Sequence, residues 1–102
     1  MSIEARLRRL EDIEEIKQLK AKYCRFCDND YDPNGIADEI FTEDGIWDGG
    51  GTFGRADGRE AIRKFFSRSS EFIAVARHQV MNPIIEMSAD GDSASGDESL
   101  SF

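Results

Sequence analysis

Basic charge is scarce in this chain. Thirteen Lys and Arg stand against 21 Asp and Glu, which gives a formal net charge of −8. Such a surface repels polyanions, so DNA and RNA are poor partners; the charge serves mainly solubility. Cysteine is also scarce. Cys24 and Cys27 have C-x-x-C spacing, but no second pair exists to complete a zinc site. A redox C-x-x-C would follow a strand and open a helix. These two fall late in a helical pattern, so two buried thiols are expected, in keeping with a reducing compartment. Long hydrophobic runs are lacking: nothing approaches the ~20 apolar residues of a membrane span. The N-terminus has no apolar stretch of the signal-peptide kind. The sequence therefore predicts a cytoplasmic protein with no membrane and no nucleic-acid partner. Metal-ligand spacing is missing as well. Asp28, Asp30 and Asp32 alternate as in a calcium loop, but Pro33 follows and the Gly and terminal Glu are misplaced. No metal and no cofactor is expected.

What is present is globular. Of the 102 residues, 39% are hydrophobic, 10% aromatic and 33% charged, a profile that supports one modest core. The length suits one domain, 1–102, and is too short for two. Charge is uneven: the first turns are mixed and partly basic, and the stretch 86–98 is acidic.

A helical period runs through Ile3, Leu7, Leu10, Ile13, Ile16, Leu19, Tyr23 and Phe26. A break is expected near Leu10–Asp12, with Asp12 as a cap. Asp32-Pro33 starts a second helix, with Ile36, Ala37, Ile40 and Phe41 as its apolar face. Asp44-Gly45 turns the chain into a short strand, Gly45–Asp48. Gly49–Gly51 reads as a loop or hairpin tip, and Phe53-Gly54 as the start of a return strand. Asp57 and Glu60 have capping-box spacing before a helix that buries Ile62, Phe65 and Phe66 and ends near Ser67–Ser70. Residues 73–88 carry the strongest strand pattern. His78, Val80, Asn82 and Ile84 share one face; Gln79, Met81, Pro83, Ile85 and Met87 share the other. Both faces are largely apolar, so both are expected to be covered. Pro83 implies a bulge, Asp90-Gly91 a hairpin turn, and Ser93–Phe102 the returning strand. Helices first and antiparallel strands last read as α+β. Gly49-Gly50-Gly51-Thr52-Phe53-Gly54 matches G-x-G-x-x-G, but no parallel βαβ unit surrounds it, so it is not read as a dinucleotide site.

Five segments together resemble SnoaL-like proteins of the nuclear transport factor 2-like superfamily. They are the run Ile13–Tyr23 followed by Asp28, Phe41–Trp47, Gly54–Ile62, His78–Pro83 and Gly91–Ala94. The resemblance implies a cone-shaped α+β barrel in which N-terminal helices cap a strongly curved, mixed or antiparallel sheet around one pocket. It implies a small hydrophobic, ring-containing ligand. Relatives of the dehydratase and dehydrochlorinase type, among them bile acid dehydratase, scytalone dehydratase and the lindane dehydrochlorinase, pair an Asp after the long helix with a His on the long strand. The matching residues are Asp28 and His78, with Asp30 and Asp32 as neighbouring alternatives to the first. Tyr23 matches the Tyr or Lys that stands five positions before the Asp.

The chemistry fits those residue types. A His can take a proton at neutral pH. A carboxylate on its other ring nitrogen fixes the tautomer and stabilises the imidazolium. A phenol can donate to a departing hydroxyl. Asp28 also lies at a helix C-terminus, where the dipole disfavours negative charge. The expectation is a cofactor-independent lyase, acting by elimination or isomerisation, with His78 as base, Asp28 as its orienter and Tyr23 as electrophilic helper. The rival is a non-catalytic ligand-binding or oligomerisation domain, in which Tyr23 is a core aromatic. Trp47, Phe53, Phe65 and Asn82 are candidate pocket lining. Relatives continue with further strands and place aromatic and branched residues where this chain has Gly96–Ser101. A chain shortened at its C-terminus is therefore expected, its sheet edge covered by another copy in a dimer or trimer.

Overall fold

Ser2 opens the first helix by accepting a hydrogen bond from the Ala5 N–H at 3.0 Å, which satisfies one of the donors a helix start leaves unpaired. Helix α1 then runs unbroken over Ile3–Asp28. The break expected near Leu10–Asp12 does not occur: the hydrogen-bonded ladder already satisfies the backbone there, and no Gly or Pro interrupts it. The computed structural model describes residues 1–72 and 78–101. The α1 apolar stripe packs against the core at its C-terminal end, through Tyr23 and Phe26, while Leu19 stays 41% exposed. Ile3, Leu7 and Leu10 stay 72%, 53% and 64% exposed, whereas Cys24 and Cys27 are buried.

The chain leaves α1 through two left-handed residues, Asp30 (φ 58°) and Tyr31 (φ 53°). The Asp32 N–H reaches back to the Phe26 carbonyl at 3.0 Å, closing the helix end as a C-terminal capping turn does. Asp32 caps the next segment, accepting from the Gly35 N–H at 3.1 Å. Helix α2, Pro33–Gly35, passes directly into a π-helical turn, Ile36–Ile40, whose Ile36 and Ala37 are fully buried.

Strands β1 (Ile46–Asp48) and β2 (Arg55–Asp57) form an antiparallel hairpin in which Trp47 pairs with Ala56. A four-residue helical turn, α3 (Gly50–Phe53), fills its tip. The Gly49–Gly54 loop thus joins two antiparallel strands and opens no long helix. Gly54, at φ 81°, allows the left-handed exit from that turn.

Helix α4 covers Arg59–Phe72, longer than the sequence suggests. The expected capping box is not used: the Asp57 carboxylate accepts from Arg55 Nε at 2.6 Å, and Glu60 pairs with Arg63. Arg59 anchors the start of α4 instead, donating from Nε to the Ala37 carbonyl and from Nη2 to the Phe41 carbonyl, both at 2.9 Å. The core gathers here from Cys27, Tyr31, Ile36, Ala56, Ile62 and Phe66.

Strands β3 (Gln79–Met87) and β4 (Ala94–Ser101) form a second antiparallel hairpin; the part of the strand pattern over 73–77 lies outside the described residues. The register jumps between Met81↔Ser99 and Ile84↔Asp97, so β3 carries one extra residue there. Asn82 takes φ 55° at this bulge. Pro83 has no N–H to give the ladder, which is the reason for the bulge at that point. The extra residue also changes the faces: Met81 and Ile84 now share one, and they are 44% and 63% exposed. The expectation that both faces are covered therefore fails for that face within this chain. The described strands form two separate two-stranded sheets, β1–β2 and β3–β4, in an α+β arrangement.

Candidate functional site

The end of α1 and the start of β3 meet at Asp28 and His78. Asp28 Oδ1 accepts the backbone N–H of His78 at 2.8 Å and lies 2.7 Å from its Nδ1. The imidazole is buried, with 8% of its side chain exposed; the carboxylate is 29% exposed. A carboxylate can only accept, so Nδ1 carries the hydrogen and Nε2 is the basic nitrogen of the neutral ring. The backbone bond fixes the carboxylate against the same residue that it orients.

His78 lines a cavity of about 850 Å³, and Asp28 stands behind it. The cavity wall is aromatic. Trp47 packs on Phe65 at 4.5 Å between ring centres, and Phe65 meets Phe66 edge-on at 5.1 Å. Tyr31 stacks on Phe66 at 6.0 Å and presents its ring to His78 at 6.4 Å, nearly perpendicular. Such tilted and edge-to-face contacts are the favoured arrangements of ring quadrupoles.

Tyr23 is part of the same wall. Its hydroxyl accepts from Trp47 Nε1 at 3.1 Å, which holds both side chains in place. Burial, reinforced by neighbouring Cys27, pushes the Tyr23 phenol well above its ordinary range. It therefore remains a hydroxyl, able to donate, at any physiological pH. Burial also raises Cys27, to about 11, so that thiol is inert as a nucleophile at neutral pH. Tyr31 is shifted upward as well, again through burial.

Of the residues singled out in the sequence, Tyr23, His78, Trp47, Phe53 and Phe65 line the cavity, and Asp28 touches His78. Asn82 is a correction. It sits exposed at the β3 bulge, outside the lining, because its left-handed backbone serves the strand irregularity. Tyr31 was not singled out. Its place after the Asn29-Asp30 turn gave a weak signal only, since the left-handed backbone that aims it inward is not encoded in a residue type. Lys64 and Arg68 also line the cavity. Their i, i+4 spacing, beside Phe65 on α4, is a helical signal that could have placed them on one face.

The profile of the SnoaL-like domain matches residues 8–100, and the chain belongs to that family. A crystal structure of a protein from Novosphingobium aromaticivorans, described as a proposed aromatic ring hydroxylase, is similar with a TM-score of 0.79 and 25% sequence identity. The match covers 89% of this chain and 63% of that one, so the chain spans less than two thirds of its neighbour's length. No curated protein matches the chain. The α+β architecture is that of the SnoaL and nuclear transport factor 2-like fold. Among the described residues, no helix is long and apolar enough to cross a membrane.

Proposed function

We propose that this SnoaL-like domain is a cofactor-independent lyase that removes a hydroxyl, or moves a double bond, on a small hydrophobic ring-containing substrate. The observation that carries this reading is the 2.7 Å contact between His78 Nδ1 and Asp28 at the wall of an aromatic cavity. His78 Nε2 takes a proton from a carbon beside an electron-withdrawing group. The C–H electron pair becomes the new C=C bond as the C–O bond of the leaving hydroxyl breaks. Asp28 stabilises the resulting imidazolium without taking its proton. The imidazolium then gives that proton to the departing hydroxide, which leaves as water. Tyr23 is too weak an acid to supply it, since burial disfavours the phenolate. Its hydroxyl serves as a hydrogen-bond donor to the oxygen on which charge develops.

An apolar wall of Trp47, Phe53 and Phe65 suits a ring. The neighbour described as a proposed aromatic ring hydroxylase is consistent with an aromatic-type substrate. The exposed Leu7, Leu10, Met81 and Ile84 support a homo-oligomer, since apolar residues on open faces mark contact surfaces.

The test is a panel of ring substrates bearing a hydroxyl β to a carbonyl, followed by ultraviolet absorption of the new conjugated bond. Turnover by the wild type and its loss in His78→Ala support the reading. Undiminished turnover in that variant overturns it.

A further inference from the structure

The cavity lining has a charge balance opposite to that of the chain. Among the described residues it includes Lys20, Arg55, Lys64 and Arg68 and no Asp or Glu, in a protein with 21 acidic and 13 basic residues. These four cations are not equivalent. Arg55 is held by Asp57 at 2.6 Å, and Lys20 lies over the Tyr23 ring at 5.0 Å. On α4 itself, Arg59 is engaged by two backbone carbonyls and Arg63 by Asp38 at 2.6 Å. Lys64 and Arg68 have no acidic partner among the described residues. They stand one helical turn apart on an exposed rim, with Phe65 of the aromatic wall beside Lys64.

We propose that the cavity binds a ring system carrying a carboxylate, with the ring against Trp47 and Phe65 and the carboxylate at the α4 rim on Lys64 and Arg68. This rests on the reading that the cavity receives a ring-containing substrate, and it adds the substrate's charge. Two cations that have no acidic partner among the described residues, set at an apolar hollow, favour an amphipathic anion over a neutral ring. The guanidinium of Arg68 matches the two oxygens of a carboxylate in a planar fork, and the ammonium of Lys64 adds a point charge. The anion end would also orient the ring, since only one end of the ligand can reach the rim.

Isothermal titration calorimetry with 2-naphthoate and its neutral isostere 2-naphthamide tests this on the whole chain. Neither ligand needs to be turned over, so binding is read apart from catalysis. The expected result is tighter binding of naphthoate, weakened by added salt. Lys64→Gln and Arg68→Gln each weaken naphthoate by about two- to fivefold, as expected for exposed charge pairs, and leave naphthamide unchanged. Far-UV circular dichroism checks that both variants fold, which their exposure favours. Equal affinity for the two ligands in the wild type, or equal weakening of both by the variants, overturns the proposed charge preference and leaves a ring-binding cavity standing. Failure of both ligands to bind overturns the charge preference and the ring-binding reading together.

Discussion

Asp28 and His78 are joined twice through one oxygen: Asp28 Oδ1 accepts from the His78 backbone N–H at 2.8 Å and faces its Nδ1 at 2.7 Å. One contact fixes where β3 begins relative to the end of α1, and the other fixes the imidazole within that frame. In the proposed mechanism the carboxylate therefore has a structural and a chemical duty, and substitutions can separate them.

Replacing Asp28 by Asn keeps a side-chain oxygen for the His78 backbone N–H but removes the negative charge beside the ring. Stability should change little. With the imidazolium no longer stabilised, kcat should fall by about 10²-fold or more, in the range expected when acid–base catalysis is lost. Asp28→Ala should lose stability as well, because it leaves the backbone donor without its acceptor. Thermal melts and steady-state rates of the two variants, measured side by side, check the separation. Equal stability loss in both would assign the carboxylate's structural role to its charge.

Tyr23→Phe removes the acceptor of the Trp47 indole N–H and the only phenol that this mechanism uses. The ring remains, so the wall should keep its packing, and the cost in stability should be about 1 kcal/mol. If the hydroxyl donates to the developing charge, kcat should fall by about 10–10²-fold with KM nearly unchanged, since the interaction is made only in the transition state. A rise in KM at constant kcat would make Tyr23 a binding residue.

Alkaline stability follows from the buried acids. The folded state holds the Cys27 proton up to about 11, above its ordinary value of 9.0, and Tyr23 is raised in the same sense. Each therefore binds its proton more tightly folded than unfolded. The stability linked to Cys27 is fully present below its unfolded value and is lost as pH rises through the folded one. Urea midpoints should fall between pH 9 and 11, and Cys27→Ala should flatten that fall. A midpoint independent of pH in this window would contradict the burial of the thiol.

Arg59 offers a test of the frame that holds the site. Its guanidinium donates to the carbonyls of Ala37 and Phe41 at once, tying α4 to the π-helical turn and the segment after it. Arg59→Leu should destabilise the fold by about 2–4 kcal/mol, because part-buried hydrogen bonds from a charged donor are lost and two acceptors are stranded. Arg59→Lys should recover only part of this, since an ammonium cannot reproduce the fork. Denaturant titrations of the two variants give the comparison.

Much of the scaffold was legible in the sequence. The α1 stripe, the Asp32-Pro33 start, the turn at Asp44-Gly45, the bulge at Pro83 and the hairpin turn at Asp90-Gly91 all announced themselves through residues with particular backbone preferences. Other readings failed for identifiable reasons. The break near Asp12 rested on a capping residue that an uninterrupted helical ladder overrides. The capping box at Asp57 and Glu60 lost to Arg55 and Arg63, which take those carboxylates. The strand faces were misassigned beyond Pro83, because one inserted residue shifts the alternation and brings Met81 and Ile84 onto the same side.

By itself the sequence determined the local features: where helices and hairpins start, which stretches alternate or recur, and which family they compose. Those features follow from backbone sterics and hydrogen bonds among near neighbours, which a residue's own type and spacing largely set. Only the tertiary structure decided that a carboxylate and an imidazole 50 positions apart come within 2.7 Å, that the Trp47 indole seats the Tyr23 hydroxyl, and that Lys64 and Arg68 border the aromatic hollow while Asn82 does not. Those distances depend on how whole elements pack, and packing is a property of all the buried side chains at once.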